Sequence, residues 1–574
     1  MQPDPNVPLR GEPGAPGTAI GPLWTLHLSP AGNLPEGVAT PAGQTASRPI
    51  SVDDAIRALA DTSAALEQMA QMRRARGERE SAEILSMQAV MAADPALSNA
   101  VREAAQQDDA AASSPKRVGD QVGDQVGLHA LIAAGESQAA ALAAIPDEYL
   151  AARAADVRDV VGRAARLLTG GQLRLPETPV ILIGEDLPPS VSTEIPRELL
   201  LGIALKGGSR TAHAVILARA AGIPCIVATS SLAVDGSLDG TPGLLVGGEG
   251  LLHLNPAPAL VSEARRGASA QSERRAAWER LRGQTPTSPS GAPIHLLANI
   301  GDVDGAARAE RVGAAGVGLL RTEFALLDRN APPTEVELLE GLTQIFSQFP
   351  ATTPITMRLA DIGGDKEIPY LKIPHEQNPF LGLRGYRLAM LAERPDLRGL
   401  FKHQITAALR AAAATNIRLK VMAPMITTRR EVDDLLSLVS DARKDLEARG
   451  EGSAAAYDAA IGIMVEVPAA ALTVDLLAPG LDFISIGTND LTQYTNAADR
   501  TNAALAGLQD ASSPAVLSLI RSAVQAATIA GLEVGVCGEL AGSLAGAHAL
   551  VQIGVTELSM EPAAVDEVRA GLLG

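Results

Sequence analysis

Side chains that could bind a small anion recur in the second half of the chain, each close behind a short apolar run. Three of them are arginines, Arg321, Arg358 and Arg500, and guanidinium groups suit a small polyanion that carries phosphate and carboxylate. Two carboxylates, Glu466 and Asp490, are hard oxygen ligands of the kind that Mg²⁺ takes from proteins. The same positions also hold Glu323, Asp361, Asn489, Cys537 and Glu539.

A second candidate is His213, which lies between a glycine-rich turn and a helical run. Gly207 and Gly208 allow a tight turn, Thr211 can cap the next helix, and the run AVILARAAG starts directly after His213. A histidine at a helix N-terminus lies among free backbone N–H groups and the positive end of the helix dipole, an environment that can hold a phosphate. Most histidines in such positions are structural, so the position by itself indicates only a candidate.

Predicted strands and helices alternate regularly in the second half of the chain, which holds the candidate anion-binding residues. Eight short apolar runs recur from residue 295 onward with helical segments between them, a pattern that predicts a closed (β/α)₈ barrel. Such barrels carry their chemistry at the C-terminal ends of the strands. An arginine there is often only part of a surface ion pair, and a lone cysteine is often a buried apolar residue. Because all of these groups fall on one face, chance is the weaker explanation. The runs are HLLANI, VGLLRTE, ITMRLAD, LKVMAPM, IGIMVEV, FISIGTN, LEVGVCG and ELSM.

The first half of the chain is predicted to be helical and then α/β. Ser51 is a plausible N-cap for a helix that begins at Val52, and an apolar stripe predicts a helix from Asp147 to Leu168. The Gly- and Asp-rich stretch Gln106–Gly127 is predicted to be a loop insertion. Short apolar runs at 179–184 and 223–229 predict strands.

These patterns together predict an α/β multidomain protein. The predicted segments are a loose tail at 1–17, an α/β domain at 18–50 and 171–258 with an inserted helical subdomain at 51–170, a helical linker at 259–291 and the barrel at 292–574.

Composition excludes several classes of function. Hydrophobic residues make up 46% and charged residues 20%, as in a globular protein. The net charge of −18 argues against nucleic acid and anionic membranes as general partners. No apolar stretch predicts membrane insertion. Two cysteines, Cys225 and Cys537, provide neither a disulfide framework nor a zinc site, so a cytoplasmic protein is expected.

Several of these motifs resemble one family. GGSRTAHAVILARAAGIPCIVAT resembles the phosphohistidine segment of the phosphoenolpyruvate-utilising enzymes. The barrel segments LLRTEFALLDR, RLADIGGDKEIPYL, NPFLGLRGYRLAM, MVEVPAA, FISIGTNDLTQYTNAADR and VCGELAG resemble enzyme I of the sugar phosphotransferase system, the phosphoenolpyruvate–protein phosphotransferases. The likeness runs from about Gly17 to Met560. It implies a C-terminal TIM barrel that binds phosphoenolpyruvate, and a swivelling phosphohistidine domain whose helical subdomain binds a carrier protein.

The resemblance also implies a role for each site residue. His213 is expected to be phosphorylated through Nε2 and then to phosphorylate an HPr-like phosphocarrier protein, and Cys537 to protonate the enolate so that pyruvate is released. A homodimer is expected, as is Mg²⁺, with Mn²⁺ as an alternative. The expected metal ligands are Glu466 and Asp490, and the expected substrate contacts are Arg321, Arg358, Arg384, Asn489, Asp490 and Arg500.

The sequence departs from the family pattern around His213 and in the helical subdomain. Ser209 and Ala212 replace the second glycine and the serine of the usual Gly-Gly-x-Thr-Ser-His motif, Lys206 stands in place of an acidic residue, and Gln88 stands where a histidine is common. Because of these changes, a non-catalytic regulatory paralogue of enzyme I is the alternative to a catalytic phosphotransferase. Pyruvate phosphate dikinase and phosphoenolpyruvate synthase share both motif sets, but they need an ATP-grasp domain for which this sequence has no room.

Overall fold

The computed structural model divides the chain into two compact units, residues 1–271 and 272–574. Within the described residues, no helix has both the length and the apolar character needed to cross a membrane. The structure describes residues 8–26, 49–75, 79–112, 125–144, 148–170, 173–192, 194–208, 213–327, 329, 331–364, 368–374, 376–451 and 457–574.

The first unit contains, among its described residues, an eight-stranded mixed sheet in the order β1-β8-β7-β3-β4-β5-β6-β2. The two apolar runs predicted as strands form β4 and β6, and both are buried along their whole length, which explains why they are apolar at every position. The strands are β1 Leu9–Arg10, β2 Glu12–Ala15, β3 Thr18–Thr25, β4 Val180–Gly184, β5 Leu200–Leu205, β6 Cys225–Val227, β7 Pro242–Val246 and β8 Leu251–Leu254.

The expected loose tail at 1–17 is wrong where the structure describes it. Leu9 pairs with Leu252 in β8, and Ala15 pairs with Cys225 in β6. The glycines that suggested a loose segment serve close pairing instead, because a Cβ at Gly14 would lie 2.9 Å from the Cys225 carbonyl oxygen. Residues 1–7 lie outside the described residues.

Between β3 and β4 the described residues form five α-helices, which pack around an alanine-rich core. The predicted cap is present, because the Asp54 backbone N–H donates to Ser51 Oγ at 3.1 Å, and the predicted helix 147–168 corresponds to α5. The loop prediction is wrong at both ends, because the alanine-rich 106–112 continues α3 and 126–127 begins α4; its Gly- and Asp-rich part, 113–124, lies outside the described residues. The helices are α1 Val52–Ala75, α2 Arg79–Ala92, α3 Pro95–Ala112, α4 Val126–Ala143 and α5 Glu148–Thr169.

Three further α-helices lie among the described residues between β4 and residue 295. The helix predicted after the glycine-rich turn is confirmed, and it begins at His213 itself. The predicted helical linker contains a long helix, but the domain boundaries themselves stay predictions. The helices are α6 Pro189–Ser192, α7 His213–Ala221 and α8 Pro258–Glu279.

The second unit is the predicted barrel, and all eight apolar runs form its parallel strands. The barrel closes where β16 pairs with β9, with Met560 opposite Ala298. Because the strands are parallel, the C-terminal ends of all eight strands lie at the same rim of the barrel. The strands are β9 His295–Ile300, β10 Val317–Arg321, β11 Pro354–Arg358, β12 Arg418–Ala423, β13 Ala460–Val465, β14 Phe483–Ile486, β15 Glu533–Val536 and β16 Glu557–Met560.

Helices surround these strands and share a continuous apolar core with them. Two of the longer helices start with capping boxes, one at Thr334 and one at Thr428, each with a glutamate three residues on. The helices are α9 Val303–Arg311, α10 Glu335–Phe346, α11 Pro395–Thr415, α12 Arg429–Ala448, α13 Pro468–Leu472, α14 Val474–Leu477, α15 Thr488–Asn496, α16 Pro514–Ile529, α17 Leu544–Ile553 and α18 Pro562–Leu573.

Candidate active site

The C-terminal ends of the barrel strands surround a cavity of about 250 Å³. Every barrel residue predicted to act on the substrate or metal lines this cavity except Arg384, which lies behind it. His213 belongs to the other unit, as the first residue of α7. The cavity is lined by Leu319, Arg321, Glu323, Phe324, Leu327, Arg358, Asp361, Met464, Glu466, Gly487, Asn489, Asp490, Arg500, Cys537 and Gly538.

Arg358 is the buried cation of the cavity wall. Its side chain is 8% exposed, and it donates to Glu323 and lies 3.5 Å from the Asp361 carboxylate. Its second terminal nitrogen lies 3.7 Å from the Met464 sulfur. Its Nε–H is buried and has no acceptor among the residues that the structure describes. A buried donor without an acceptor is costly, so an anion in the cavity would satisfy it.

Arg384 connects two carboxylates behind the cavity. Its Nε and Nη2 donate to the two oxygens of Asp361, at 3.1 and 2.9 Å. Its Nη1 and Nη2 donate to the two oxygens of Asp490, at 2.7 and 2.8 Å, and Nη1 also donates to the Tyr494 hydroxyl at 3.1 Å. All five N–H groups of Arg384 are thus used within the protein. In this arrangement the residue has no donor left for a substrate, contrary to the role that the resemblance implies.

The exposed side of the cavity holds the other predicted polar groups. Arg321 lies 3.3 Å from Glu561 and is about one third exposed. Arg500 lies 3.4 Å from Asp490 and 5.3 Å from the centre of the Phe380 ring. Asn489 donates to the Glu539 carboxylate and accepts from the Glu539 backbone N–H, both at 3.1 Å. Both arginines are partly exposed and line the cavity, where a ligand can reach them.

Glu466 is a buried carboxylate in an unfavourable setting. It is 1% exposed, and it accepts a hydrogen bond from the Met425 backbone N–H at 2.7 Å. Burial raises the pKa of Glu466 to about 8, and repulsion from Asp490 and Asp361 adds to the effect. Gly487 permits this packing, because a Cβ there would lie 3.0 Å from Glu466 Oε2.

The buried groups of the site carry excess negative charge. When all four carboxyl groups of the site are ionised, they outnumber its two buried guanidinium groups by two charges. A divalent cation bound through hard carboxylate oxygens would balance them, which fits Mg²⁺. Within the described part of the chain, however, no three His, Cys, Asp or Glu side chains already form a metal-binding cluster. The buried charged residues are Glu323, Asp361, Glu466, Asp490, Arg358 and Arg384.

Cys537 lies just past the end of β15, on the cavity wall. It is 4% exposed, and its sulfur lies 3.8 Å from the Ile486 carbonyl oxygen. Burial raises the pKa of the Cys537 thiol above its ordinary value, although a hydrogen bond with Ser485 and the charge of Arg358 act in the opposite direction. The group is therefore a protonated thiol at neutral pH, as a proton donor must be.

Sequence reasoning missed two polar residues inside the barrel, Asn299 in β9 and Ser559 in β16. Asn299 donates to the Cys537 carbonyl oxygen at 3.0 Å, and Ser559 donates to Asn299 at 2.6 Å. The available signal was an uncharged polar residue near the end of each apolar run, Asn299 in HLLANI and Ser559 in ELSM.

A barrel whose strand ends place arginines and carboxylates around a small cavity is typical of enzymes that act on a small anionic substrate. The comparisons with known proteins specify this class. Residues 275–573 match the PEP-binding domain of the PEP-utilising enzymes, residues 176–249 match their mobile domain and residues 10–153 match their N-terminal domain.

Known relatives agree with these domain matches. The phosphoenolpyruvate-protein phosphotransferase of Geobacillus stearothermophilus is 37% identical over 432 residues, which is 75% of this chain and 73% of that protein. The Bacillus subtilis protein of the same name is 36% identical, over 73% of this chain and 72% of its own length. This chain therefore belongs to the enzyme I, or phosphoenolpyruvate–protein phosphotransferase, family of the PEP-utilising enzymes.

Larger proteins match as well. A multiphosphoryl transfer protein of Xanthomonas campestris is 42% identical over 447 residues, and the aligned part covers 76% of this chain but only 51% of that protein. The chain thus spans about half the length of this relative. A solution structure of enzyme I (nEIt) covers 46% of this chain with a TM-score of 0.32 and 24% identity, too little to compare side chains.

Proposed function

We propose that this chain transfers the phosphoryl group of phosphoenolpyruvate to its own His213 and then to a histidine of an HPr-like phosphocarrier protein, releasing pyruvate. This is the first step of sugar uptake by the phosphotransferase system. The observation that carries the proposal is the single cavity into which three arginines, Glu466, Asp490, Asn489 and Cys537 converge. The family membership supplies the substrate class.

Phosphoenolpyruvate carries a phosphate and a carboxylate, and the arginines suit both. The unpaired Nε–H of Arg358 offers a buried donor to one substrate oxygen. Arg321 and Arg500, which are partly exposed, would close on the ligand from the cavity mouth, with Asn489 as a further donor. Guanidinium groups bind phosphate and carboxylate oxygens in pairs, which fixes the orientation of the substrate.

In this proposal Arg384 is a positioning residue and not a substrate contact. Its bonds to Asp361 and Asp490 fix the two carboxylates that face Glu466. Glu466 and Asp490 would hold Mg²⁺, with Mn²⁺ as an alternative. The ion would supply positive charge to the oxygens of the phosphoryl group and the enolate.

The transfer needs positioning and charge neutralisation more than covalent assistance. A neutral His213 imidazole would attack phosphorus, so that a P–N bond forms and the bond from phosphorus to the enol oxygen breaks. The enolate of pyruvate remains in the barrel. The Cys537 S–H bond then breaks as a C–H bond forms at the methylene carbon, which leaves pyruvate and a thiolate that solvent reprotonates.

The proposal extends to the domains and partners. Residues 18–50 and 171–258 would form the phosphohistidine domain, and residues 51–170 would bind the carrier protein. Residues 259–291 would connect the phosphohistidine domain to the barrel, residues 292–574, which would bind phosphoenolpyruvate. Residues 176–249, which include His213, match the mobile domain of the PEP-utilising enzymes, and movement of this domain would bring His213 to the cavity. We place the protein in the cytoplasm as a homodimer.

The experiment is incubation with ³²P-labelled phosphoenolpyruvate and Mg²⁺, followed by measurement of protein-bound label and pyruvate. Both should form, and label should pass to an added HPr-type carrier. A protein that binds phosphoenolpyruvate without forming either product would be the regulatory paralogue. His213→Ala is the matched control, since it leaves every barrel residue in place.

A further inference from the structure

We propose that Asn299 and Ser559 are positioning residues that hold the Cys537 thiol against the methylene carbon of the enolate. The inference rests on the proposed function, because it concerns the proton donor of that reaction. We call Asn299 and Ser559, with the hydrogen bonds that connect them to Cys537, the frame. Neither residue lines the cavity. Both therefore act through Cys537 and not on the substrate.

The first part of the frame is an amide bonded at both ends. Asn299 Nδ2 donates to the Cys537 carbonyl oxygen at 3.0 Å, and Asn299 Oδ1 accepts from Ser559 Oγ at 2.6 Å. Asn299 is 5% exposed and Ser559 is 2% exposed. An amide buried at this depth has one geometry that satisfies both of its ends, so the pair of hydrogen bonds sets its direction.

The barrel makes room for this frame. Asn299 lies in β9, Ser559 in the neighbouring β16, and Cys537 just past β15, so the bonds cross three consecutive strands. On the other side of β9, Gly318 in β10 has no side chain. A Cβ at Gly318 would lie 2.4 Å from Ser559 Oγ, so the glycine leaves the space that the serine occupies.

A second anchor holds Cys537 from the opposite side. Its backbone N–H donates to the Ile486 carbonyl oxygen of β14 at 3.1 Å, and its sulfur lies 3.8 Å from the same oxygen. Ile486 thus fixes the amide side of the residue, and Asn299 fixes the carbonyl side. Without Asn299 the Cys537 carbonyl could rotate, and the thiol would move with the backbone.

Proton transfer to carbon is sensitive to such a movement. The S–H bond breaks while the C–H bond forms, so the sulfur must lie over one face of the enolate at reacting distance. A displacement of about 1 Å can cost on the order of 100-fold in rate. The phosphoryl-binding arginines do not depend on this frame, so substrate binding should be retained when the frame is removed.

The test compares Asn299→Leu, which keeps the branching of the side chain at Cγ but removes both hydrogen bonds, with Ser559→Ala, which removes only the outer one. For Asn299→Leu, kcat for pyruvate formation should fall about 10- to 100-fold while KM for phosphoenolpyruvate stays within about twofold. Ser559→Ala should show a smaller loss in the same direction. Thr406→Ala is the control, because this buried hydroxyl on α11 has one hydrogen-bond partner among the described residues, the Lys402 carbonyl of its own helix.

The solvent deuterium isotope effect on pyruvate formation separates positioning from a general loss of structure. Misplacement of the thiol makes protonation slower, so the isotope effect should rise in both frame variants and remain unchanged in the control. A lower rate with an unchanged isotope effect, or wild-type rates in Ser559→Ala and Asn299→Leu alike, overturns the proposal. If Asn299→Leu does not fold, the rate and the isotope effect measured for Ser559→Ala decide the proposal. A wild-type protein that forms no pyruvate contradicts the proposed function itself, and the positioning role with it.

Discussion

Arg384 and Asp490 are joined by two parallel hydrogen bonds, at 2.7 and 2.8 Å, and the arginine is held on its other side by Asp361. The pair is buried at the back of the cavity, with the arginine side chain 1% exposed. The carboxylate that we propose as a metal ligand is therefore held by a cation whose N–H groups are all bonded within the protein.

Removing the Arg384 guanidinium group should lower the free energy of unfolding. Arg384→Gln would remove the guanidinium group that is hydrogen-bonded to two buried carboxylates, Asp361 and Asp490, and breaking a buried ion pair typically destabilises a protein by about 3–5 kcal/mol. Chemical denaturation of the barrel measures the loss, and phosphoryl transfer should fall with it. Lys402→Gln is the matched control, because its ion pair with Asp445 is partly exposed and should contribute about 1 kcal/mol or less. Equal stability of the two variants would contradict the assigned role of Arg384.

The raised pKa of Glu466 predicts how stability depends on pH without metal. The folded pKa, about 8, lies above the ordinary value of 4.5, so the folded state holds a proton that the unfolded state releases. This contribution to stability is full below about pH 4.5 and is lost as the pH rises toward 8. Melting temperature should therefore fall across this window in EDTA.

Mg²⁺ should reverse that trend, because a cation favours the charged carboxylate. The stabilisation by Mg²⁺ should be larger at pH 8 than at pH 6 in the wild-type protein. Glu466→Gln should lose most of the pH dependence and of the response to Mg²⁺. A melting temperature that responds to Mg²⁺ equally in Glu466→Gln would place the metal elsewhere.

Cys537 should be needed for protonation and not for binding. Cys537→Ala should still bind phosphoenolpyruvate, since the arginines remain, while pyruvate formation falls by about 10²–10⁴-fold as for a lost general acid. Cys225→Ala is the control, because burial raises the pKa of this thiol to about 12 and it packs within the first unit. Pyruvate formation at the wild-type rate in Cys537→Ala would mean that another group donates the proton.

The barrel could be predicted from the sequence because each strand is a buried apolar run followed by polar residues. That pattern also located the rim, so Arg358, Glu466 and Cys537 were expected to lie together, and they line one cavity. The position of Arg384 could not be predicted, because it depends on two carboxylates, Asp361 and Asp490, that only the fold brings to one side chain.

Local composition misled in two places for physical reasons. The glycines near the start of the chain indicated a loose tail, whereas Gly14 allows β2 to pair closely with β6. The segment 106–112 was grouped with the neighbouring glycine-rich stretch, although its alanines favour the helix that it forms. Asn299 was overlooked because a polar residue within an apolar run does not reveal its partner across the barrel.

The most direct test of the account is the site of phosphorylation. The protein is incubated with ³²P-labelled phosphoenolpyruvate and Mg²⁺, and the acid-labile, base-stable phosphate is mapped by peptide analysis in the wild type and in His213→Ala. We predict label on the peptide that contains His213, no stable label on the variant, and no label in EDTA. Equal labelling of His213→Ala, or label on another residue of the wild type, would contradict the account.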